Sequence, residues 1–475
     1  MKTLPVEKFQ KILIVRPDAI GDMVLTLPCV KAIKEAHPHL HISILASSYN
    51  AKVVEHLPYI DEIIVDRYTT GEAETWRQRW AYSRFLKDKN FDVAVHFYSE
   101  SKQVWTAVAA GIPIHLGDKA KIGLWPVFRK HGVFLKSFDQ TKHVIDYNFQ
   151  LLQPLGVRKP ESLSKVLPPP EEGVSRAKGL LKEAGYEGNH PLVGIHPGVG
   201  AGNRPITPEK YVAFIKKLRE KVDVDICITG YSESEKSYRD RIVKGLAGDA
   251  IDMVGKTSVS ELMGVLSQYS LYVGVDTGPS HLASALGVPQ IAIFPSKKVK
   301  PTRWAPWRNS HFVVRESHVC PHFCPHEGCP LTICSDELQV SDMVEKAIDL
   351  LQGGGIKTGV KQFRYWFCQS MVVLILFDDR TTQAATAFSQ SLTDAGIRNY
   401  RSHINDKTLS EKLMVHNVSI MHNLTKRRKW RLFWVSQRAS RKLFNPPLVI
   451  HGDVVIPENG DVIDFYTQKF EAKWL

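Results

Sequence analysis

No apolar run in these 475 residues approaches the roughly 20 that a membrane-crossing helix needs. The longest candidate, Met371 to Phe377, suffices for one buried strand. The opening MKTLPVEKFQK carries Pro5 and Glu7 where a signal peptide needs its apolar stretch, so a cytoplasmic location is expected. Cysteine is scarce and odd in number, seven in all, which argues for reduced thiols or a metal site over a disulfide framework. Acidic residues are absent from Lys412 to His451. Hydrophobic residues make up 43% and charged residues 23%, which excludes a disordered chain and leaves enough apolar mass for two or three domains.

The net charge of +13 is unevenly spread. From Ile356 to Leu475 there are 18 Lys and Arg against 10 Asp and Glu. Such an excess points to anionic partners: nucleic acid, anionic lipid or a phosphorylated substrate.

Short apolar runs alternate with helix-like stretches from Lys11 to about residue 350. KILIV reads as a buried strand, and Gly21 to His37 as a helix with Val24, Leu27, Val30 and Ile33 on one face. Strands are expected at His41–Ala46, Glu62–Val65 and Asp92–Phe97. VLPPPEEG, from Val166 to Gly173, reads as a stiff non-helical linker. The rhythm then restarts, with strands at Leu192–His196, Val224–Thr229, Asp252–Val254, Leu271–Val275 and Gln290–Phe294 and helices between them. The expectation is α/β: two doubly wound, Rossmann-like domains over 1–170 and 171–352, facing a cleft, and a basic extension over 353–475. In the extension MVVLILF reads as a strand and Asn459-Gly460 as a hairpin turn.

Chemistry-bearing residues gather at strand ends. After the first strand comes Arg16-Pro17-Asp18-Ala19-Ile20-Gly21-Asp22. Asp22 falls in the first helical turn, where the helix dipole keeps it ionised; it either accepts a proton from a sugar hydroxyl or caps its helix. Asp276-Thr277-Gly278-Pro279-Ser280-His281 follows a second strand, and its amides suit a phosphate, with His281 balancing charge. His196-Pro197-Gly198 and Arg204 lie after a third, in a turn that is neither a Walker loop nor GxGxxG. Glu233 and Glu235 follow a fourth, as ribose-contacting acids or ordinary first-turn acids. Cys320, Cys324, Cys329 and Cys334 could hold a structural Zn²⁺, although the spacing is not the paired CxxC; free thiols are the alternative. Lys426 to Phe444 interleaves basic and aromatic residues, suiting an anionic lipid surface, RNA, or merely a solvated basic helix.

Taken together and in order, ILIVRPDAIGDMVLTLPCVKAIKEAHP, VGIHPGVG, ICITGYSESE and YVGVDTGPSHLASALGVPQIAIF resemble the glycosyltransferase family 9 heptosyltransferases over about residues 10–350. The resemblance implies a GT-B fold and inverting transfer of a heptose from ADP-heptose to a lipid-linked lipopolysaccharide core, with no catalytic metal. It implies Asp22 as the general base. Asp276, Thr277, Gly278, His281, Glu233, Arg204 and His196 would meet the donor, and Arg16 and Lys102 the acceptor. Where many members carry a basic residue, one residue and then Trp-Pro, this chain reads Arg204-Pro205-Ile206-Thr207-Pro208. It also implies a peripheral position on the cytoplasmic face of the inner membrane. The alternatives are another nucleotide sugar for a surface polysaccharide, a nucleic-acid-associated protein on the same core, and an epimerase of similar architecture.

Overall fold

The computed structural model describes residues 3–98, 100–135, 142–160, 166–198, 206–295, 299–307, 309–314 and 338–354, with four strands between 372 and 434. The chain divides into two compact units, Met1–Arg315 with Cys334–Thr358, and Glu316–Ile333 with Gly359–Leu475.

The first unit holds two parallel sheets. One contains β1 (Lys11–Val15), β2 (His41–Ala46), β3 (Glu62–Val65), β4 (Val93–His96) and β5 (Ile114–Leu116), in the order β3-β2-β1-β4-β5. The other contains β6 (Leu192–His196), β7 (Asp225–Ile228), β8 (Ile251–Asp252), β9 (Leu271–Val275), β10 (Gln290–Ile293) and β11 (His311–Val314), in the order β11-β10-β9-β6-β7-β8. After Lys11 at its start, KILIV is apolar and buried, and LYVGV is buried throughout, because both faces of a parallel sheet are covered. Strand order reverses between β1 and β4 in one sheet and between β6 and β9 in the other, and ligands bind beyond the carboxyl ends of strands at such points.

Helices α1 (Ile20–Val24), α2 (Leu27–Ala36), α3 (Ser48–Ala51), α4 (Trp76–Asp88), α5 (Ser101–Ala109) and α6 (Trp125–Phe128) belong to the first sheet. The single helix expected from Gly21 is broken in two, because Pro28 opens α2 and its ring cannot follow a continuous turn. Helix α7 (Val144–Leu151) leads to α8 (Glu171–Glu183). The Pro-rich stretch is therefore helical in its last three residues: Pro170 takes the N-cap position, and Glu171 and Glu172 sit favourably at the positive end of the helix dipole. Helices α9 (Pro208–Arg219), α10 (Glu233–Gly245), α11 (Val259–Leu266), α12 (Gly278–Leu286), α13 (Pro301–Trp304) and α14 (Val340–Leu351) accompany the second sheet.

One apolar cluster runs from Ile12, Ile14 and Val24 through Ile145, Phe149, Leu167 and Leu181 into Met263, Leu266 and Leu282. Helix α8 packs on α11 and α1 on α12, so the two sheets share core and are not merely strung together. A second cluster, around Val193, Tyr211, Phe214 and Ile293, fills the far face of the second sheet.

In the second unit, β12 (Val372–Phe377) pairs in parallel with β13 (Asn399–His403) and β14 (Val418–Leu424), and β14 pairs antiparallel with β15 (Lys429–Trp434). The helix considered for the basic stretch is thus a strand over Lys429–Trp434, where alternating Trp430, Leu432 and Trp434 carry the strand period. Asn459 and Gly460 lie outside the described residues.

Candidate functional site

Arg16 follows β1 and is spent on its own turn. It is buried; one Nη donates to the Phe97 carbonyl oxygen at 2.7 Å, the other pairs with the Asp22 carboxylate, and Nε lies 3.1 Å from Asp18 Oδ1. Asn50 Nδ2 donates to the carbonyl oxygens of Arg16 and Asp18, each at 3.0 Å. The turn is therefore braced from both sides, and the guanidinium suggested for the acceptor instead holds Asp22. Ala19 occupies the N-cap of α1 and no side chain caps it, so Asp22 is not there as a cap. Its carboxylate is 25% exposed, open enough to meet a hydroxyl. Burial pushes the Asp18 carboxyl up to about 7 against the pull of Arg16, with Asp22 adding to the rise.

The opposing turn follows β9. Asp276 is buried, its amide donates to the Ile293 carbonyl, and its Oδ1 lies 3.1 Å from His281 Nε2. Thr277 caps α12 by position, and its hydroxyl donates to the Val275 carbonyl at 3.3 Å. Gly278 begins the helix and Pro279, which needs no amide partner, sits in its first turn. The N-terminal amides of α12 thus point beyond the sheet, an arrangement that receives anions.

These two turns face each other in direct contact. A Cβ built on Gly21 would stand 2.6 Å from His281 Cδ2, and one on Gly278 would stand 3.3 Å from that of Ile20. Gly21 has no positive φ, so what the position needs is space for the imidazole rather than an unusual backbone. His281 is 5% exposed, lying under Gly21 with Asp276 on its Nε2 and Trp304 at 6.2 Å.

A third group closes the far side. His196, at the end of β6, has Nε2 3.2 Å from Glu235 Oε1 and Nδ1 3.0 Å from the Thr229 hydroxyl. Glu235 accepts from the amides of Tyr231 and Ser232, each at 2.7 Å. Burial alone would raise this carboxyl, but His196 and the two amides outweigh it and hold it at about 2. Gly198 leaves room for this carboxylate, since a Cβ there would stand 1.7 Å from Glu235 Oε1. Glu233 turns to solvent and pairs with Lys236 at 2.6 Å, so Glu235 and not Glu233 joins the group. Ser232-x-x-Glu235 is a capping box, a signal that was present in the sequence. Burial, then the charges of Glu235 and Tyr231, push the phenol of Tyr49 on α3 up, so a side chain of the first sheet feels the second sheet's acid.

Lys102 stands half-exposed on α5, its Nζ 5.5 Å from the Tyr68 ring centroid and 3.8 Å from Glu100. Arg204 and Cys320, Cys324, Cys329 and Cys334 lie outside the described residues. Among the described residues no three His, Cys, Asp or Glu side chains are placed to hold a metal ion, and no helix is long and apolar enough to cross a membrane.

Two parallel sheets whose switch-point turns, Arg16–Asp22 and Asp276–His281, meet in direct contact narrow the comparison. The family model of Glycosyltransferase family 9 (heptosyltransferase) matches residues 79–333. The chain belongs to this family. The matched stretch begins downstream of the Arg16–Asp22 turn and includes the Asp276–His281 turn. Lipopolysaccharide heptosyltransferase 3 of Escherichia coli strain K12 is 23% identical to this family 9 chain over 294 residues, 60% of this chain and 82% of its own length. Two solved structures share the fold: a glycosyl transferase family 9 protein from Veillonella parvula DSM 2008, with TM-score 0.59 and 20% identity over 73% of this chain and 98% of that one; and E. coli ADP-heptose lps heptosyltransferase II, with TM-score 0.56 and 18% identity over 72% and 99%. The fold is GT-B and the protein is a glycosyltransferase.

Proposed function

We propose that this glycosyltransferase moves a heptose from ADP-heptose to a lipid-linked lipopolysaccharide core acceptor, with inversion at the anomeric carbon. The carrying observation is the meeting of the Asp22 turn with the Asp276–His281 turn. The same fold in E. coli ADP-heptose lps heptosyltransferase II supports the donor and acceptor classes.

In this reading the second sheet holds the donor's diphosphate on the α12 amides, and Glu235 with His196 lies toward the nucleoside end. Arg204 adds charge on the phosphate side. Lys102 lies on the acceptor side. The Asp22 carboxylate takes the acceptor hydroxyl's proton as that oxygen attacks the anomeric carbon. The bond to ADP breaks on the opposite face, the electron pair leaves with the diphosphate, and the α12 amides stabilise the charge that develops. General-base help of this kind is worth about 10²–10⁴ in rate, and positioning supplies the rest. No metal is needed for catalysis; a Zn²⁺ on the four cysteines would be structural. The enzyme works from the cytoplasmic face of the membrane that carries its acceptor.

The test offers ADP-heptose, UDP-sugars and GDP-sugars with a deep-rough glycolipid and reads the added mass by mass spectrometry. A heptose increment from ADP-heptose alone is expected, and a hexose increment would replace the donor assignment. Asp22→Asn is expected to cut turnover at least about 10²-fold while donor affinity holds; undiminished turnover would remove Asp22 from the base role.

A further inference from the structure

Six of the nine large apolar side chains exposed among the described residues fall between residues 76 and 134: Trp76, Trp80, Trp105, Ile122, Trp125 and Phe134. This concentration asks for a cause, because scattered exposed apolar residues are ordinary and a contiguous set is not. The elements are neighbours. Helix α4 packs on α5, α5 on the Ile122–Leu124 turn, and that turn on α6. Backbone bonds from Val133 to Gly117 and from Lys119 to Val133 bring the Phe134 segment alongside. Val104, Leu124 and Phe128 form the buried underside of this layer, so its inner face is already partnered and the aromatics are turned outward.

Cations accompany the rings. Arg77 lies 5.4 Å from the Trp76 ring centroid, Arg84 lies 4.9 Å from that of Trp80, and Lys119 lies 5.8 Å from that of Phe134. Between 76 and 134 the sequence carries ten Lys and Arg against four Asp and Glu. Trp has an apolar body and a polar N–H that suit the headgroup boundary, while Arg and Lys meet lipid phosphate.

We propose that the outer face of α4, α5 and α6 docks on an anionic phospholipid surface. This deepens the transferase reading and rests on it for purpose: Trp105 is one turn along α5 from Lys102, on the acceptor side, and α5 begins where β4 delivers Phe97 to Arg16. A membrane under this face lies beside the entrance through which a lipid-linked sugar chain would reach Asp22.

The test measures co-sedimentation of the full chain with phosphatidylglycerol–phosphatidylethanolamine vesicles and with pure phosphatidylcholine vesicles, without donor or acceptor. Binding to the anionic vesicles is expected, weakening as salt rises. Trp76→Ala with Trp80→Ala is expected to weaken it at least about tenfold. Arg77→Gln with Arg84→Gln is expected to weaken it about 30-fold. Trp76 and Trp80 are 73% and 59% exposed, so both variants should keep the wild-type unfolding temperature. Vesicle binding by the two variants that equals the wild type's, or wild-type indifference to anionic lipid, overturns the proposal. So does loss of transfer to a delipidated acceptor in the Trp variant with vesicle binding retained, which would assign the face to the sugar chain. Because binding is read without substrates, its failure leaves the transferase reading standing, and failure of the donor screen leaves the vesicle result standing.

Discussion

Gly21→Ala probes the contact on which the site depends. The added methyl would arrive 2.6 Å from His281 Cδ2. Carbon atoms in contact sit at about 3.5–4.0 Å, so the two turns must part by about 1 Å. The imidazole cannot simply swing away, since Asp276 holds its Nε2 at 3.1 Å and Trp304 stands beside it. Overpacking of this kind costs about 1–3 kcal/mol and should lower the unfolding temperature by a few degrees. The effect on turnover should be larger, because an error of about 1 Å between a base and the group it serves costs about 10²-fold. Steady-state kinetics with saturating donor and acceptor, read beside thermal unfolding, separates the two effects. Gly123→Ala is the control, since nothing lies within 4 Å of a Cβ there. Wild-type turnover in Gly21→Ala would mean that the lobes do not work at this approach, and the facing-turn reasoning would fail with it.

Asp18→Asn removes a carboxyl whose burial sets it at about 7. Its proton is favoured in the folded state, so its contribution is fully present below about pH 4, the ordinary Asp value, and is lost as pH rises toward 7; the Asn variant should be the more stable at about pH 8, by on the order of 2 kcal/mol, with the advantage gone by about pH 4. Denaturant titrations of both proteins from about pH 4 to pH 8 check this; parallel stability curves across that range would refute it. His143 is held at about 4 by burial, with its Nε2–H donating to the Ala305 carbonyl at 3.0 Å. The fold favours the neutral ring, so this contribution is present above the ordinary histidine value and is lost as pH falls toward 4. His143→Gln, which keeps a neutral donor, should lose about 2 kcal/mol less than wild type between about pH 7 and pH 5 in denaturant titrations.

What could be read in advance follows the range of the interactions involved. Strands such as ILIV, after Lys11, and LYVGV declare themselves as unbroken runs without charge, and burial of both faces of a parallel sheet demands that. The Arg16–Asp22 and Asp276–His281 turns were visible because Gly and Asp at strand ends are local signals. Their contact was not visible, because it joins residues 260 positions apart and depends on one glycine leaving space for one imidazole. Arg16 shows the same limit at short range. A basic residue beside a cleft reads as a ligand for substrate, yet Asp18, Asp22 and the Phe97 carbonyl take its donors once the chain folds. Glu235 differs, since its capping box was written in the sequence and only its partnership with His196 was not.

The break between α1 and α2 gives these local signals their consequence. Pro28 ends the continuous helix that the apolar period of Gly21–His37 suggests, so α1 is a five-residue helix. Such a short helix has little stability of its own and must be held by tertiary contacts. Asn50 clamps the turn before it, Asn148 Nδ2 donates to the Leu25 carbonyl at 3.1 Å behind it, and His281 abuts Gly21 from across the site. Asp22 is therefore carried on an element fixed from three directions, two of them from outside the first sheet. A carboxylate placed this way, as the proposed base, is correctly aimed only when α7 and α12 are docked, which ties its aim to the joining of the two sheets.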